Sequence, residues 1–143
     1  YDRSLAFQLT ESALREAEAL VTASGSPVFG YNCVTNDTCQ PTPSNAFQAG
    51  PASCAIGSNL CWVNSSVAQP TISAGRPQYY IEYLGEFNSS DALGVSTSAN
   101  QAQYGGAGGS PIAYRYRVTA RSHNPATAPG RAVVVLQTTV VRR

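Results

Sequence analysis

From Ser4 to Ala23 apolar residues return every three or four positions. Ala6, Leu9, Ala13, Ala17 and Leu20 form one line, with Phe7, Leu14 and Val21 beside them at a period of seven. This spacing predicts an amphipathic helix with a broad apolar stripe, whose packing face is Phe7, Leu9, Ala13, Leu14, Ala17 and Leu20. Glu11, Arg15, Glu16 and Glu18 fall mainly off the stripe. The Glu11–Arg15 pair adds only about 0.2–0.5 kcal/mol, so burial has to hold the helix. Gly25 is expected to close it in the left-handed conformation, and Pro27 cannot continue it.

Apolar periodicity then disappears. From Gly25 to Pro77 the chain is rich in Ser, Asn, Thr, Pro and Gly and holds all four Cys, with Trp62 directly after Cys61. A structureless stretch of this length needs a staple, and disulfides would supply it. Alternation begins again in "QYYIEYLGEF", where Tyr79, Ile81 and Tyr83 oppose Tyr80, Glu82 and Leu84. In "IAYRYRVTARS", Tyr114, Tyr116, Val118 and Ala120 oppose Arg115, Arg117, Thr119 and Arg121. The turn "HNPATAPG" separates this strand from a further one, "RAVVVLQTTVV", and the pair reads as a hairpin. The glycine-rich stretch between the first two strands carries no assignment.

The order helix, stapled loop, consecutive strands gives an α+β fold, a helix laid on an antiparallel meander of about four strands. A chain of 143 residues is the size of one domain. Within 1–143 the helix takes 1–24, the Cys-containing region 25–77 and the sheet region 78–143.

Charge adds little. The net charge is +1 with 12% charged residues, too weak a field to attract nucleic acid. No apolar run is long enough to cross a bilayer. The absence of Met makes a processed or trimmed product the expectation. The Cys pairs imply an oxidising compartment. Pairing of Cys33 with Cys39 and Cys54 with Cys61 is favoured by sequence adjacency, with the nested Cys33–Cys61 and Cys39–Cys54 pattern as the alternative. Their spacing, and the distance to His123, do not suit a structural zinc site.

No catalytic constellation emerges. His123, the single histidine, stands in an Asn-Pro turn and reads as a solvated residue. No G-x-S-x-G elbow occurs. "GGAGGS" at 105–110 lacks the lysine and strand of a phosphate loop. Glu82 and Glu86, four strand residues apart, are about 13 Å from one another, too far for a glycosidase pair. No enzyme, cofactor or metal is therefore expected. The row Arg115, Arg117 and Arg121 reads first as a solvated strand face balanced by Glu82 or Glu86, and otherwise as a contact face for an acidic partner. Trp62 is expected to cover apolar surface at the base of the second Cys loop; its alternative is an exposed recognition residue.

Two ends of the chain resemble one family. "DRSLAFQLTESALREAEAL" looks like the membrane-distal part of the long helix in PilX-type minor pilins of type IV pili, and "YRYRVTARSHNPATAPGRAVVVLQTTVVRR" resembles their final strands. "YYIEYLG" resembles their first sheet strand. The resemblance implies a type IV pilin fold, with a membrane-spanning half-helix preceding Tyr1, and a prepilin whose class III leader is cleaved upstream of Tyr1 by a prepilin peptidase that N-methylates the new N-terminus. It implies partners as well: other minor pilins, the major pilin, a large PilY1-like tip adhesin, and the inner membrane through the preceding segment. The implied role is priming pilus assembly and sitting at the pilus tip, with effects on twitching motility and adhesion. A type II secretion pseudopilin shares this design, but the calcium-binding acids some of them use have no counterpart beyond the isolated Asp37 and Asp91. A third class is a secreted carbohydrate-binding domain using Trp62, Tyr79, Tyr80 and Tyr104. On the pilin reading the first turn, Tyr1 to Ser4, is the continuation of a longer helix and is expected to be frayed and partly exposed in isolation.

Overall fold

The apolar stripe forms helix α1, Asp2–Ala23. The computed structural model describes residues 2–49, 54–88 and 112–143. Buried on α1 are Ala6, Leu9, Thr10, Ala13, Ala17 and Val21, a narrower set than the sequence pattern predicts. Two residues of the expected packing face are corrected. Phe7 is 46% exposed and Leu20 36%, while Leu14 packs at the core margin. The cause is geometric. Alanines at the contact bring the helix close to the sheet, so the buried line is thin, and Phe7 lies about 60° further round than Thr10. The line also turns. Each step of four residues advances about 40° beyond a full turn, so the run Ala13, Ala17, Val21 carries the contact away from Leu20. Thr10 joins the buried face because its hydroxyl bonds back to the Ala6 carbonyl at 2.7 Å, leaving no unsatisfied donor.

Gly25 does not act as a left-handed cap: among the described residues the positive-φ glycines are Gly30, Gly57, Gly85 and Gly130. Instead the Ser24 hydroxyl donates to the Ser26 carbonyl and accepts the Ser26 N–H, a local serine turn that competes with the helix ladder. Gly25→Ala is accordingly expected to be neutral or to stabilise by up to about 1 kcal/mol, as nothing lies within 4 Å of the added carbon; urea unfolding checks this.

Strands β1 (Tyr31–Asn32), β2 (Val63–Asn64), β3 (Gln78–Asn88), β4 (Ile112–Arg121) and β5 (Val135–Arg142) follow. The sheet runs β1-β3-β4-β5, with β2 also on β3. The expected meander is β3-β4-β5, antiparallel throughout. Two short strands add to it on the free side of β3, and one of them, β1, runs parallel. The sheet is thus mixed and five-stranded. The last strand begins at Val135 because Ala132 and Val134 bond elsewhere: the Ala132 N–H donates to Asp2 and the Val134 N–H to the Ser122 hydroxyl.

Alternation sends Tyr79, Ile81, Tyr83, Tyr116, Val118 and Ala120 to one side, where they form the main core with Ala13, Ala17 and Val21. A register shift between Tyr83 and Gly85 inserts Leu84 as a bulge. It reverses the parity of the strand beyond it, so Glu82 stands opposite Arg117 while Glu86 stands opposite Tyr114, on the other face.

The second face of the sheet is also covered. Ala46, Trp62 and Tyr80 form a smaller core there, flanked by Tyr31, Leu60 and Val135. Two disulfides, Cys33–Cys39 and Cys54–Cys61, close the loops that build this layer, the adjacent pairing favoured by the sequence.

Candidate functional site

The arginine row lies on this second face, and its members have separate fates. Arg121 is completely buried. Its Nε donates to Gln78 Oε1 at 2.9 Å, and Nη1 donates to the carbonyls of Asn45, Ala46 and Gln48. The guanidinium carbon sits 4.4 Å from the Trp62 ring centre. Burial lowers its pKa to about 10, so it stays charged at neutral pH. Arg121 therefore ties the covering loop down, and cannot be a solvated or partner-binding residue. Arg117 grips Glu82 with Nε and Nη2 at 2.9 and 3.0 Å and also reaches the Gln40 carbonyl. This is the cross-strand pair expected of Glu82, but it is largely enclosed, with Glu82 2% exposed. Arg115 alone is exposed, lying 5.1 Å over Phe87.

Trp62 has no exposed surface, which overturns its reading as a recognition residue and leaves the covering role. Its Nε1–H donates to Asn45 Oδ1, and the Asn45 amide donates onward to the Leu60 carbonyl. A buried indole requires an acceptor, so an asparagine or carbonyl nearby was foreseeable, but not which one. Tyr79 and Tyr80 are buried too, which removes them from an aromatic sugar platform; Tyr104 lies outside the described residues, as do Asp91 and the 105–110 stretch.

His123 is a further correction, for it is buried rather than solvated. The Ser122 hydroxyl accepts the Val134 N–H and is hydrogen-bonded to His123 Nδ1 at 3.0 Å. Among the described residues the other ring nitrogen, Nε2, has no partner. The ring lines a small cavity with Asp2, Leu5, Ala6 and Leu9 of α1, at a joint that Asp2 clamps. Asp2 Oδ1 accepts two bonds from Arg131, at 3.0 and 2.6 Å, and Oδ2 accepts the Ala132 N–H. These hold its carboxyl well below the ordinary range, at about 2. The first turn is thus exposed at Arg3 and Ser4 yet anchored at Asp2.

Burial chiefly, then the charges of Arg121 and Arg131, push the His123 pKa down from 6.5, with Asp2 opposing. The unfolded chain therefore takes a proton that the folded chain resists. Stability is fully present above the ordinary value and is expected to fall as pH drops below 6.5, with a limiting slope of about 1.4 kcal/mol per pH unit. Urea unfolding between pH 7.5 and 5.5 measures it, and His123→Gln should flatten the slope.

Two accessible features stand out among the exposed residues, which also include Val34, Phe47 and Ile112. Phe7 and Leu20 project from α1 into solvent. On the opposite side of the sheet, a cavity of about 700 Å³ opens beside the first disulfide. Cys33, Cys39 and Glu82 also lie close enough together to suggest a metal site, but both sulfurs are in the disulfide and both carboxylate oxygens are bonded to Arg117. The donor set does not fit a cation. Among the described residues no helix is long and apolar enough to cross a membrane.

A family model described as the C-terminal part of the type IV pilus assembly protein PilX matches residues 32–142. No curated protein matches the chain. No solved structure matches it either.

Proposed function

The chain belongs to the PilX family of type IV pilus assembly proteins, and from that premise we propose that it is a noncatalytic minor pilin that helps prime pilus assembly and forms part of the pilus tip complex, supporting twitching motility and adhesion. The observation that carries this reading is the outer side of α1. A helix already docked on its sheet leaves Phe7 and Leu20 about half and a third exposed, and burying that remaining part of one side chain is worth about 0.5–1.5 kcal/mol. Those residues offer neighbouring subunits an apolar contact that the isolated domain does not use.

The partners on this reading are other minor pilins, the major pilin and a large tip adhesin. The protein would sit in the inner membrane with its domain in the periplasm before assembly, and at the pilus tip afterwards. Assembly needs rigid surfaces more than titrating groups, and the sheet clamped on both faces supplies them.

The test is complementation of a strain lacking the gene. Phe7→Glu and Leu20→Glu should leave the purified domain folded, at a cost of about 1–2 kcal/mol for the half to two-thirds of each side chain that is buried. Each should nevertheless reduce surface piliation and twitching several-fold. Normal piliation in the deletion strain, or in the double variant at normal protein level, would remove the proposal.

A further inference from the structure

The cavity beside Cys39 has a chemistry of its own. Thr38, Gln40, Thr42 and Asn59 wall it among the apolar Pro41, Pro43 and Leu60, and Tyr80 and Glu82 reach it from the sheet. Its volume, about 700 Å³, falls in the range of small-molecule sites. The four wall side chains are exposed, and each offers hydroxyl or amide groups with both donor and acceptor capacity. Tyr80 is 2% exposed; its hydroxyl accepts the Leu60 N–H at 3.1 Å, so its own proton is left to donate. Burial raises the Tyr80 pKa to about 12, which keeps that proton in place.

The cavity is also electrically neutral. Glu82 is the charged group that lines it, and both its oxygens are taken by Arg117. Among the described residues, an anion would find no free cation in its lining, and a metal ion no free carboxylate. A proline-rich peptide needs an aromatic-lined groove, and the one aromatic side chain here is buried edge-deep in the sheet. A ligand matched to uncharged hydroxyl and amide groups set among Pro41, Pro43 and Leu60 is a sugar, whose hydroxyls alternate with apolar C–H faces. Rigidity favours binding too. The wall segment is fixed by the Cys33–Cys39 disulfide and by the Gln40 carbonyl on Arg117, and the far wall is held by the Asn45 amide on the Leu60 carbonyl. Leu60 itself adopts φ 53°, an uncommon conformation for a side chain of its size.

We propose that this cavity is a binding site for a neutral, hydroxyl-rich ligand, a short uncharged oligosaccharide, whose hydroxyl accepts the Tyr80 proton while its other hydroxyls bond to Thr38, Gln40, Thr42 and Asn59. The site differs from the aromatic platform expected of Trp62 and the tyrosines, because those rings are interior. It goes beyond the assembly role and does not depend on it, since sugar binding by the isolated domain and piliation in cells are separate measurements.

The disulfide-intact domain is applied to an array of neutral, sialylated and sulfated oligosaccharides, and the neutral glycan retained most strongly is titrated by calorimetry. The expected result is retention of neutral glycans ahead of charged ones. Tyr80→Phe should weaken the titrated binding about tenfold, the effect of one lost hydrogen bond. Thr42→Leu, at an exposed position, should fold normally and weaken it at least as much by narrowing the mouth. If Tyr80→Phe melts early, Thr42→Leu decides. Retention of no neutral glycan, a preference for the charged glycans, or unchanged affinity in Thr42→Leu would overturn the proposal.

Discussion

Trp62→Ala is expected to destabilise the domain by about 3–5 kcal/mol, the largest effect of any side-chain truncation here. Three costs coincide at this residue. The indole is fully buried against Ala46 and Tyr80, so a large cavity is left. The Asn45 carboxamide loses the Nε1–H at 2.9 Å. The Arg121 guanidinium, 4.4 Å above the ring, loses its aromatic partner while remaining buried, where a cation–π contact is worth about 2 kcal/mol. Trp62→Phe keeps an aromatic face under Arg121 but loses the hydrogen bond and the pyrrole half of the indole, and should cost about 2–3 kcal/mol. Urea unfolding followed by far-UV circular dichroism gives both values. A loss under 1 kcal/mol for the alanine variant would mean that the second core contributes little. Limited proteolysis of the same variants should show cleavage between Cys39 and Cys54 first, since Arg121 holds that segment through the carbonyls of Asn45, Ala46 and Gln48.

Gly30→Ala is expected to be nearly as severe, at about 3 kcal/mol or more, and for a different reason. Gly30 has φ +89°, a region where a side chain costs roughly 1–2 kcal/mol. The added carbon would also lie 2.6 Å from both the Ile81 carbonyl oxygen and its Cγ2. The carbonyl belongs to a central strand and cannot move aside. The strain would be relieved by lifting β1 off β3, breaking the pairs Tyr31 with Glu82 and Asn32 with Tyr83 and the Cys33 N–H to Tyr83 carbonyl bond. Hydrogen exchange at Cys33 should rise before the β3–β4 ladder is affected. Gly25→Ala, with open space and no positive φ, is the matched control. Equal stabilities of the two variants would show that the close approach at Gly30 is not a constraint.

Much of the main core was legible because periodicity is a local property. The alternation of Tyr79, Ile81 and Tyr83, and of Tyr116, Val118 and Ala120, fixes which side chains share a face whatever lies on it. The helix was legible for the same reason, though only to the width of its stripe. How many of Phe7, Leu9, Leu14 and Leu20 are buried depends on the angle at which α1 crosses the sheet, and that angle is set by Ala13, Ala17 and the strands together. The bulge at Leu84 has no sequence signal stronger than Gly85, yet it moves Glu82 and Glu86 to opposite faces.

The Arg row shows the limit most directly. Alternation placed Arg115, Arg117 and Arg121 on one face and invited the inference that the face is wet. That inference fails for Arg121 because a segment some 70 residues earlier in the chain folds over it. Ser-, Pro- and Asn-rich stretches carry no apolar period, so nothing in their own pattern tells a covering layer from a surface loop. His123 is hidden from the local pattern in the same way: its neighbours in sequence are turn formers, but its neighbours in space are Asp2 and the first turns of α1.

What the sequence determined by itself was therefore the helix and the three long strands, the faces of those strands, the disulfide pairing favoured by adjacency, and the PilX resemblance at its two ends; β1 and β2 lie in the stretch it left as loop. What only the tertiary structure decided was which polar residues are interior and which apolar ones are free. Burial is a property of contacts between distant segments. A cation with three carbonyls and an indole waiting for it is stable inside, whereas a phenylalanine just past the edge of a helix stripe stays outside.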